Sequence, residues 1–508
     1  MRAVALATTP AVRLSDLLEG IVELPPRYDP GVSGLALDSR AVRPGDVFCA
    51  VVGGAVDGRS YVGAALGRRA GAVLQEAAGP SIEVRHGVPV IGVPGLAGHL
   101  GLLADRFFGH PSAGMWVAGV TGTNGKTTVS HLIAQVLAEP SRGGGVATPV
   151  GVIGTLGYGL HGALVGGRNT TPDALTLHRL LAELRGQGAR HAVMEVSSHA
   201  LDQGRANGVA FHVAVFTNLS HDHLDYHRTL GAYAEAKRRL FRFPGLRAAV
   251  VNLDDPVGAS ILAELHPSVV ALGYSLRGHP RAALRARALA IGPHGIRMEV
   301  QTPAGEGWIE SALLGRFNAS NLLAALGALL TVPLPLSTAL ESLGRAAAVR
   351  GRMERLGGVG GAPLVVVDYA HTPDALEQVL ATLREHCTGA LTCVFGCGGE
   401  RDRGKRPEMG RVAERLADRL VITDDNPRGE DGDQIVAEVL AGLATPVRAL
   451  VERDRARAIE VAVAGAGPED VVLVAGKGHE DYQEVGGARR PFSDQAVARA
   501  ALARGQAR

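Results

Sequence analysis

Residues able to bind a phosphate chain are concentrated in one stretch, V-A-G-V-T-G-T-N-G-K-T-T-V-S-H-L, at positions 117–132. An apolar run leads into a loop of glycine and small polar residues, and an amphipathic run follows, which predicts a strand, a loop and a helix. Glycines let backbone N–H groups close around an anion, and the helix N-terminus adds its dipole. Lys126 would place a fixed charge on the outer phosphates, and Thr127 would offer a hydroxyl to Mg²⁺. We expect the phosphate contacts to come from Gly122, Thr123, Asn124, Gly125, Lys126, Thr127 and Thr128.

This loop is shorter than the usual phosphate-binding form, because Val120 occupies the position of the first glycine. An ordinary glycine-rich turn between a strand and a helix is the alternative interpretation. A lysine followed by two threonines has no packing reason to stand in such a turn, so the phosphate-binding interpretation is preferred.

Carboxylates and histidines follow two further apolar stretches, H-A-V-M-E-V-S-S and V-A-V-F-T-N-L-S-H-D-H-L-D-Y-H. Parallel sheets bind ligands at the carboxyl ends of their strands, so these side chains are expected near the phosphate loop. Glu195 would be a natural Mg²⁺ partner, whereas His223 would suit a second metal or a phosphate. A solvated loop is the alternative for the second stretch. The candidate residues are Glu195, Ser197, His221, Asp222, His223 and Asp225.

Four stretches of the last third repeat one design, in which an apolar strand stops in a charged or glycine-rich loop. They are P-L-V-V-V-D-Y-A-H, L-T-C-V-F-G-C-G-G-E-R-D-R-G-K-R-P, R-L-V-I-T-D-D-N-P-R-G-E and D-V-V-L-V-A-G-K-G-H-E-D-Y-Q. We expect the four strand ends to form one edge of a sheet and to present their polar residues to one cleft. Those residues are Asp368, His371, Arg401, Arg403, Lys405, Arg428, Lys477 and Glu480.

The chain as a whole is too long for one hydrophobic core, and 508 residues suggest about three domains. A formal net charge of +2 argues against a basic surface for nucleic acid or an anionic membrane, which leaves small molecules as the expected partners. The four cysteines show no paired spacing, so neither a disulfide framework nor a zinc site is predicted. The N-terminal apolar run is too brief for a secretion signal, and no segment is long enough to span a bilayer, so we expect a cytoplasmic protein.

Local signals place several of these residues on elements. Thr171 and Pro172 are expected to cap and open one helix, and Thr372 and Pro373 another. The region 275–308 shows no clear periodicity and predicts only short strands. Taken alone, Lys237 is a solvated charge on a helix. Taken alone, the two asparagines Asn318 and Asn321 cap a helix, and L-D-S-R at 37–40 is a surface loop.

Taken together, the motifs identify a family. The motifs occur in one order along nearly the whole chain, as L-D-S-R, T-G-T-N-G-K-T-T, N-T-T-P-D, M-E-V-S-S-H-A-L-D-Q-G-R, T-N-L-S-H-D-H-L-D-Y-H, A-E-A-K, G-R-M-E-R, D-Y-A-H-T-P-D-A-L, G-C-G-G-E-R-D-R-G-K-R-P, D-D-N-P-R and G-K-G-H-E-D-Y-Q. In this the sequence resembles the Mur ligases of peptidoglycan synthesis, and most closely the MurE type. The resemblance implies an α/β protein of three domains. These are an N-terminal UDP-MurNAc-binding domain at 1–112, a central ATP-binding domain with a mostly parallel sheet at 113–347, and a Rossmann-like C-terminal ligase domain at 348–508.

The resemblance also implies a reaction. ATP, UDP-MurNAc-L-Ala-D-Glu and a diamino acid would give the UDP-linked tripeptide, ADP and phosphate, through an acyl phosphate of the D-Glu side chain. Phosphoryl transfer mainly needs positioning and charge neutralisation, which Lys126, Thr127 and metal ions at Glu195 and His223 would supply. A monomer is expected.

Further site residues follow only from the resemblance. Lys237 matches the lysine that the family carries as a carbamate, which would make it an anionic Mg²⁺ ligand beside Thr127, Glu195 and His223. The ATP-side contacts would include Asn318, Arg352 and Asp368. The positions that match the family's contacts to the UDP-linked substrate are Leu37, Ser39, Gly54, Ala55, Val56, Thr170, Thr171, Ser197, Gln203 and Arg205.

The choice of amino acid would be made by D-N-P-R, which is Asp425, Asn426, Pro427 and Arg428. Meso-diaminopimelate differs from lysine by a second carboxylate, which a guanidinium can bind with two hydrogen bonds. The residues expected to help Arg428 are Arg401, Gly476 and Glu480. We therefore predict the diaminopimelate-adding type.

Three alternatives were weighed against this one. The first is another ligase of the superfamily, either lysine-adding or a folylpolyglutamate synthase, against which D-N-P-R and G-K-G-H-E argue. The second is a nucleotide-binding regulatory or scaffold protein that has lost catalysis, although every expected ATP-site residue is present. The third is a P-loop transport ATPase, which would need a membrane partner or a different loop signature.

Overall fold

The structure, a computed structural model, describes residues 12–53, 56–140, 148–167, 169–220, 222–292 and 294–506. The chain forms two compact units. The first takes in the chain up to residue 274 with 279–282 and 327–333, and the second takes in 275–278, 283–326 and 334–508. Helices alternate with mostly parallel strands in both, which confirms the predicted α/β class. The three domain boundaries stay a prediction.

The first unit begins with a short antiparallel pair and a five-stranded sheet of order β3-β4-β5-β7-β6, in which only β6 is antiparallel. Helix α3 packs against this sheet through Leu96, Leu100 and Leu103, all buried. The strands are β1 (Val12–Arg13), β2 (Gly31–Val32), β3 (Gly34–Ala36), β4 (Asp46–Ala50), β5 (Ala72–Glu76), β6 (Ser81–Arg85) and β7 (Val88–Val93). The helices are α1 (Leu14–Leu18), α2 (Val62–Gly67) and α3 (Leu96–Phe107).

A second sheet in the first unit carries the phosphate loop, with strands in the order β11-β10-β9-β12-β8-β13-β14-β15. Strand β8 pairs in parallel with β12 on one side and β13 on the other, so the loops that follow these three strands meet at one edge. The strands are β8 (Trp116–Thr121), β9 (Val150–Gly154), β10 (Gly157–Leu160), β11 (Ala163–Val165), β12 (His191–Glu195), β13 (Val213–Phe216), β14 (Ala248–Asn252) and β15 (Val270–Ser275). The helices are α4 (Lys126–Ala138), α5 (Ala174–Gly186), α6 (Ser198–Asp202), α7 (Leu224–His227), α8 (Leu230–Arg238) and α9 (Pro256–Glu264).

The two sheets of the first unit are joined by a contact between backbones. A Cβ placed on Gly101 of α3 would fall closer than 3.0 Å to the Asn207 carbonyl, and one on Gly208 would fall 2.7 Å from the Gly101 oxygen. The Asn207 side chain also donates to the Gly98 carbonyl at 3.1 Å. Only glycine permits this approach, so α3 and the loop after α6 lie in direct backbone contact.

The second unit corrects one expectation from the sequence. The region 275–308 was expected to form only short strands, but half of it lies in two long antiparallel strands, which pair with a third in the order β16-β17-β18. In the first of these strands only Leu284 is buried, and the bulge between Ala286 and Ala288 disturbs the alternation that would have predicted it. The elements are β16 (Leu284–Gly292), β17 (Gly295–Thr302), β18 (Gly305–Ser311), α10 (Arg316–Leu329) and α11 (Leu336–Arg345).

The rest of the second unit is a six-stranded sheet of order β19-β20-β24-β21-β22-β23, followed by a separate hairpin. Strands β20, β24, β21 and β22 are adjacent and parallel, which confirms that the four predicted strand ends share one edge. The strands are β19 (Glu354–Gly357), β20 (Leu364–Asp368), β21 (Leu391–Phe395), β22 (Arg419–Ile422), β23 (Ala449–Val451), β24 (Val471–Ala475), β25 (Tyr482–Val485) and β26 (Ala488–Pro491). The helices are α12 (Pro373–Arg384), α13 (Lys405–Leu416), α14 (Gly432–Leu440), α15 (Arg455–Ala464) and α16 (Asp494–Gln506).

Short 3₁₀ turns complete the chain, at Pro26–Tyr28, Ser39–Ala41, Gly58–Tyr61, Arg239–Arg242 and Pro446–Arg448. Helix α12 is capped by Thr372 with Pro373 at its first position, as predicted. The four cysteines are free thiols. No helix within the described ranges combines the length and the apolar composition that crossing a bilayer requires.

Candidate active site

The phosphate loop lies between β8 and α4 and depends on two glycines with positive φ. Gly122 has φ +146° and Gly125, which precedes the first turn of α4, has φ +84°. A Cβ on Gly122 would fall closer than 3.0 Å to the hydroxyl of Thr217, at the end of β13. The Asn124 N–H donates to the Asn218 side chain at 2.9 Å. Thr217 and Asn218, which follow β13, therefore both contact the phosphate loop. Thr217 and Asn218 were not among the residues predicted from the sequence to contact the phosphates.

Lys126 folds back over this loop. Its Nζ donates to the carbonyl oxygens of Gly122 and Thr123, both at 2.9 Å. The ammonium group therefore lies beside the N-terminus of α4, and its charge adds to the helix dipole there. This is the place from which a lysine can reach the outer phosphates of a nucleotide.

Glu195 ends β12 and is almost completely buried, with 1% of its surface exposed. Its Oε2 accepts hydrogen bonds from Thr127 Oγ1 at 2.9 Å and Thr155 Oγ1 at 3.1 Å, and its Oε1 accepts one from the Thr155 N–H at 2.8 Å. The structure thus brings Thr127 and Glu195 together as predicted. Thr155 was missed, because a threonine after the glycine that ends β9 carries no signal of its own.

Lys237 on α8 is 1% exposed, so the interpretation as a solvated charge is wrong. Its Nζ donates to the Gly122 carbonyl at 2.8 Å and lies 4.3 Å from the centre of the Tyr233 ring. Burial, together with the nearby charge of Lys126, holds the pKa of the Lys237 amine well below its usual value of 10.5. The neutral amine is therefore the favoured form over a wider pH range than for a surface lysine.

Tyr233 connects this lysine to the loop, since its hydroxyl lies 3.1 Å from Thr123 Oγ1. Burial raises the pKa of Tyr233 to about 12, so the phenol stays neutral and can share that hydrogen bond. One turn of α8 therefore presents a neutral phenol and a buried amine to the same loop.

A group of aromatic rings lies next to Tyr233. The His199 ring centre is 4.9 Å from that of His223, 4.2 Å from that of Tyr226 and 5.4 Å from that of His227. His223 has φ +53°, and its ring centre is 6.0 Å from that of Tyr233. His221 and the side chain of Asp225 lie outside the described residues. Across the described ranges, no three His, Cys, Asp or Glu side chains are grouped closely enough to form a metal site on their own.

The predicted contacts to a UDP-linked peptide form a chain of hydrogen bonds beside Glu195. Thr171 Oγ1 donates to the Glu195 carbonyl at 2.8 Å and accepts from the Ser197 N–H at 3.1 Å. Arg205 donates to the Thr171 carbonyl at 3.1 Å and to the Gln203 side chain at 2.9 Å. Thr170 shares a 3.1 Å hydrogen bond with Thr155.

The prediction that Thr171 caps a helix is wrong. Helix α5 begins at Ala174, and Asp173 caps it by accepting from the Thr176 N–H at 3.0 Å. The Thr171 hydroxyl is instead committed to the strand end at Glu195. Aspartate is also a stronger N-cap than threonine, and here it stands directly before the first helical residue.

The N-terminal candidates lie around the end of β3. Ser39 is buried in a 3₁₀ turn capped by Asp38, whose pKa is lowered to about 2 by hydrogen bonds from Arg40. Leu37 is half-buried, whereas Val56 is 55% exposed. Gly54 and Ala55 lie outside the described residues.

In the second unit, Asp368 ends β20 and is buried. Its carboxylate accepts from the Met353 N–H at 2.7 Å and from the Ala370 N–H at 2.8 Å, while burial raises its pKa. The Arg352 guanidinium lies 5.1 Å from the centre of the Tyr369 ring. Asn318, in the first turn of α10, donates to the Leu314 carbonyl at 2.7 Å. This is not the contact of an N-cap, whose side chain accepts from a backbone N–H.

The D-N-P-R loop follows β22 and is held by the loop after β24. Arg428 has φ +55°, its backbone N–H donates to the Glu484 carbonyl at 3.0 Å, and its guanidinium donates to the Gly399 carbonyl at 2.7 Å. Gly476 has φ +117°, and a Cβ there would fall 2.5 Å from a carboxylate oxygen of Asp425. Burial raises the pKa of Asp425.

The polar residues at this edge do not all gather in one place. Arg401 is exposed, and Arg403 is exposed and paired with Glu438. Lys405 donates to the His371 carbonyl at 2.8 Å. The Pro427 carbonyl lies against Gly399, where a Cβ would not fit.

Comparison with known proteins gives consistent results. Two family models match, the Mur ligase middle domain over residues 120–329 and the Mur ligase, glutamate ligase domain over residues 351–478. The chain is 52% identical over 492 residues to the UDP-N-acetylmuramoyl-L-alanyl-D-glutamate--2,6-diaminopimelate ligase of Xanthomonas campestris, with 97% of each chain covered. It is also 52% identical over 469 residues to the ligase of that name from Pseudomonas aeruginosa, with 92% of this chain and 94% of the other covered.

A solved structure described by the same ligase name matches with a TM-score of 0.75 and 37% sequence identity. The matched region takes in 98% of this chain and 100% of the chain in the solved structure. The similarity therefore extends over both compact units.

Proposed function

The chain belongs to the Mur ligase family, and we propose that it joins meso-2,6-diaminopimelate to the D-Glu side-chain carboxylate of UDP-MurNAc-L-Ala-D-Glu at the expense of ATP. It is an ATP-dependent peptide-forming ligase. The curated relatives that carry this name match it over nearly their whole length. ATP is a cytoplasmic metabolite, so we place the reaction in the cytoplasm. The enzyme is proposed to act as a monomer.

One observation carries the chemistry. The buried carboxylate of Glu195 and the buried amine of Lys237 both lie against the phosphate loop, at Thr127 and Gly122 respectively. A nucleotide-binding protein without catalysis has no need for two such groups there, because burying an amine without a carboxylate partner is costly. A site that stabilises the negative charge of a phosphoryl group during its transfer would explain both the buried carboxylate and the buried amine.

The first step proceeds by in-line displacement. The D-Glu carboxylate attacks the γ-phosphorus of ATP, the bond to the β-phosphate oxygen breaks, and an acyl phosphate and ADP result. The N–H groups around Gly122 and Gly125, with the charge of Lys126, stabilise the negative charge of the phosphates. Gln203 and Arg205 are proposed to hold the peptide end of the substrate, a role supported by the contact of Arg205 with the Thr171 carbonyl.

Mg²⁺ fits the donor set at this place. Thr127 Oγ1 and Glu195 Oε2 are 2.9 Å apart and are both oxygen donors, the type that this ion prefers. When bound, the ion would neutralise charge on the β- and γ-phosphates. His223 offers an imidazole nitrogen, which is a less usual ligand for Mg²⁺ than an oxygen. Substitution of His223 tests its proposed role as a metal ligand.

Lys237 is proposed to react with CO₂. The neutral amine attacks the carbon atom of CO₂, a C–N bond forms as one C=O π bond opens, and the N–H proton passes to water, which leaves an anionic carbamate. The lowered pKa of Lys237 supports this step, because only the unprotonated amine is nucleophilic. A carbamate there would supply a further oxygen donor beside the phosphate loop.

In the second step the amine of diaminopimelate attacks the acyl carbon, and the tetrahedral intermediate expels phosphate and loses a proton to give the amide. Arg428 is proposed to bind the distal carboxylate of the amino acid. Its guanidinium donates to the Gly399 carbonyl at 2.7 Å, and its Nε lies 4.0 Å from a carboxylate oxygen of Glu484. The remaining N–H groups of its two terminal nitrogens are proposed to form the two-pronged contact.

Phosphate release measured with ATP, Mg²⁺ and UDP-MurNAc-L-Ala-D-Glu tests the proposal. We expect turnover with meso-diaminopimelate and little with L-lysine or without amino acid. Preference for L-lysine would keep the ligase and refute the role of Arg428, and no turnover with any amino acid would refute the ligase itself.

A further inference from the structure

Lys477 follows β24 and has a side chain with no exposed surface. It enters the D-N-P-R loop because Gly476, at φ +117°, allows the backbone to pass next to Asp425. A lysine so placed must have partners, since an isolated buried ammonium would be deprotonated or destabilising.

Its partners are two residues assigned to the amino-acid site. Lys477 Nζ donates to Asn426 Oδ1 and to Glu480 Oε2, both at 2.9 Å. The Asn426 Nδ2 donates to the same Glu480 oxygen at 2.9 Å. The three side chains therefore close a triangle of hydrogen bonds.

The triangle can be assembled in only one way. Asn426 Oδ1 also accepts from the Glu484 N–H at 2.9 Å, so the carboxamide oxygen has two donors and its nitrogen must face Glu480. Both contacts to Glu480 fall on Oε2. Its Oε1 has no hydrogen-bond partner among the residues that the structure describes, and the side chain keeps 18% of its surface exposed.

We propose that Lys477 is the positioning residue of the amino-acid site, which aims Glu480 Oε1 at an ammonium group of the incoming diamino acid. The inference rests on the proposed function and adds to it a residue that does not touch the substrate. Lys477 balances the charge of Glu480 without occupying the oxygen that would bind the substrate. It also offsets the proximity of two carboxylates, because Asp425 is buried in the same region.

Lys477→Met tests this, because it keeps the buried aliphatic stem and removes the ammonium. We expect the KM for meso-diaminopimelate to rise about 10- to 100-fold, the factor typical of a lost charged hydrogen bond, while the KM values for ATP and the UDP-linked substrate change less than about twofold. A purely structural role would raise all three KM values or lower kcat alone, and either result would overturn the proposal, as would unchanged kinetics.

Leu383→Ala is the matched control. Leu383 is fully buried in the core of the same sheet, on α12, and its side chain has no polar group that could join the triangle. It should lower the melting temperature without separating the KM values. If Lys477→Met does not fold, Lys477→Gln, which keeps a donor but loses the charge, decides by the same separation of KM values.

A double-mutant cycle adds a second criterion. Glu480→Gln and Lys477→Met act on one interaction, so the double variant should be no worse for diaminopimelate than the more damaged single variant, whereas additive effects would overturn the proposal. If the parent enzyme uses L-lysine instead, the proposed function fails, and the same cycle measured with L-lysine then decides the role of Lys477.

Discussion

Gly122→Ala would test the geometry of the phosphate loop most directly. The substitution meets two obstacles. A residue other than glycine at φ +146° is strained by about 1–3 kcal/mol. The new Cβ would also fall closer than 3.0 Å to Thr217 Oγ1 and 3.1 Å from the backbone nitrogen of Asn218.

Thr217 cannot move aside freely. It is 2% exposed, and its single O–H donates to the Asn124 carbonyl at 2.5 Å, with the Thr121 carbonyl farther away at 3.3 Å. Turning the side chain away would sacrifice that hydrogen bond, worth about 1 kcal/mol. Together with the backbone strain, we expect Gly122→Ala to lower the free energy of unfolding by about 2–4 kcal/mol.

Gly162→Ala provides the matched control. Gly162 has φ +85°, and a Cβ there meets nothing within 4 Å, so only the backbone strain of about 1–2 kcal/mol applies. Both variants should be compared by urea unfolding, with ATP binding measured by calorimetry. Only Gly122→Ala should weaken ATP binding, because its carbonyl accepts from both Lys126 and Lys237.

Thr217→Ala gives an internal check on the clash. Removing the hydroxyl makes room for the new Cβ, so Gly122→Ala should destabilise the Thr217→Ala protein by about 1–2 kcal/mol less than it destabilises the parent. Equal destabilisation in both backgrounds, or a Gly122→Ala protein as stable as Gly162→Ala, would refute the steric reasoning.

Four further predictions concern the phosphate loop and the amino-acid site. Lys237→Met should abolish turnover yet raise the melting temperature near neutral pH, because it removes a desolvated amine. In the parent, a ¹³C NMR carbamate signal from labelled bicarbonate should grow as pH rises through the lowered pKa of Lys237, since the neutral amine reacts; a signal that falls with pH would contradict this. Glu195→Gln should reduce kcat by about 10²-fold or more and raise the Mg²⁺ concentration needed for half-maximal rate, with thermal shift as the check on folding. Arg428→Ala should raise the KM for meso-diaminopimelate by about 10²- to 10³-fold and leave ATP binding, measured by calorimetry, as in the parent.

Strand ends were the part of the site that the sequence predicted best. The apolar runs before Glu195, Asp368 and Lys477 are buried parallel strands, as expected, because a strand covered on both faces must be continuously apolar. Their order in each sheet was less accessible, since β24 lies between β20 and β21 although it comes after both in the chain.

Lys237 shows what local sequence could not predict. Its helix carries an ordinary mixture of charged and small residues, and only its packing under the phosphate loop makes the side chain buried. The resemblance to the family pointed to the residue, and the contact with Gly122 gives the physical reason. Thr155 and Thr217 had neither kind of signal, because each acts through one hydroxyl at a distance of more than 25 residues from its partner.

The backbone contact between Gly101 and Asn207 fixes the distance between α3 and the loop after α6 in the first unit. Side chains usually act as adjustable spacers between packed layers, and a series of small substitutions can shift those layers by fractions of an ångström. Here main-chain atoms touch, so no choice of side chain can bring α3 and the loop after α6 closer, and a side chain at Gly101 or Gly208 would push them apart. For an elongated ligand that contacts both α3 and the loop after α6, the distance between its two contact points is therefore set by the backbone and not by side chains.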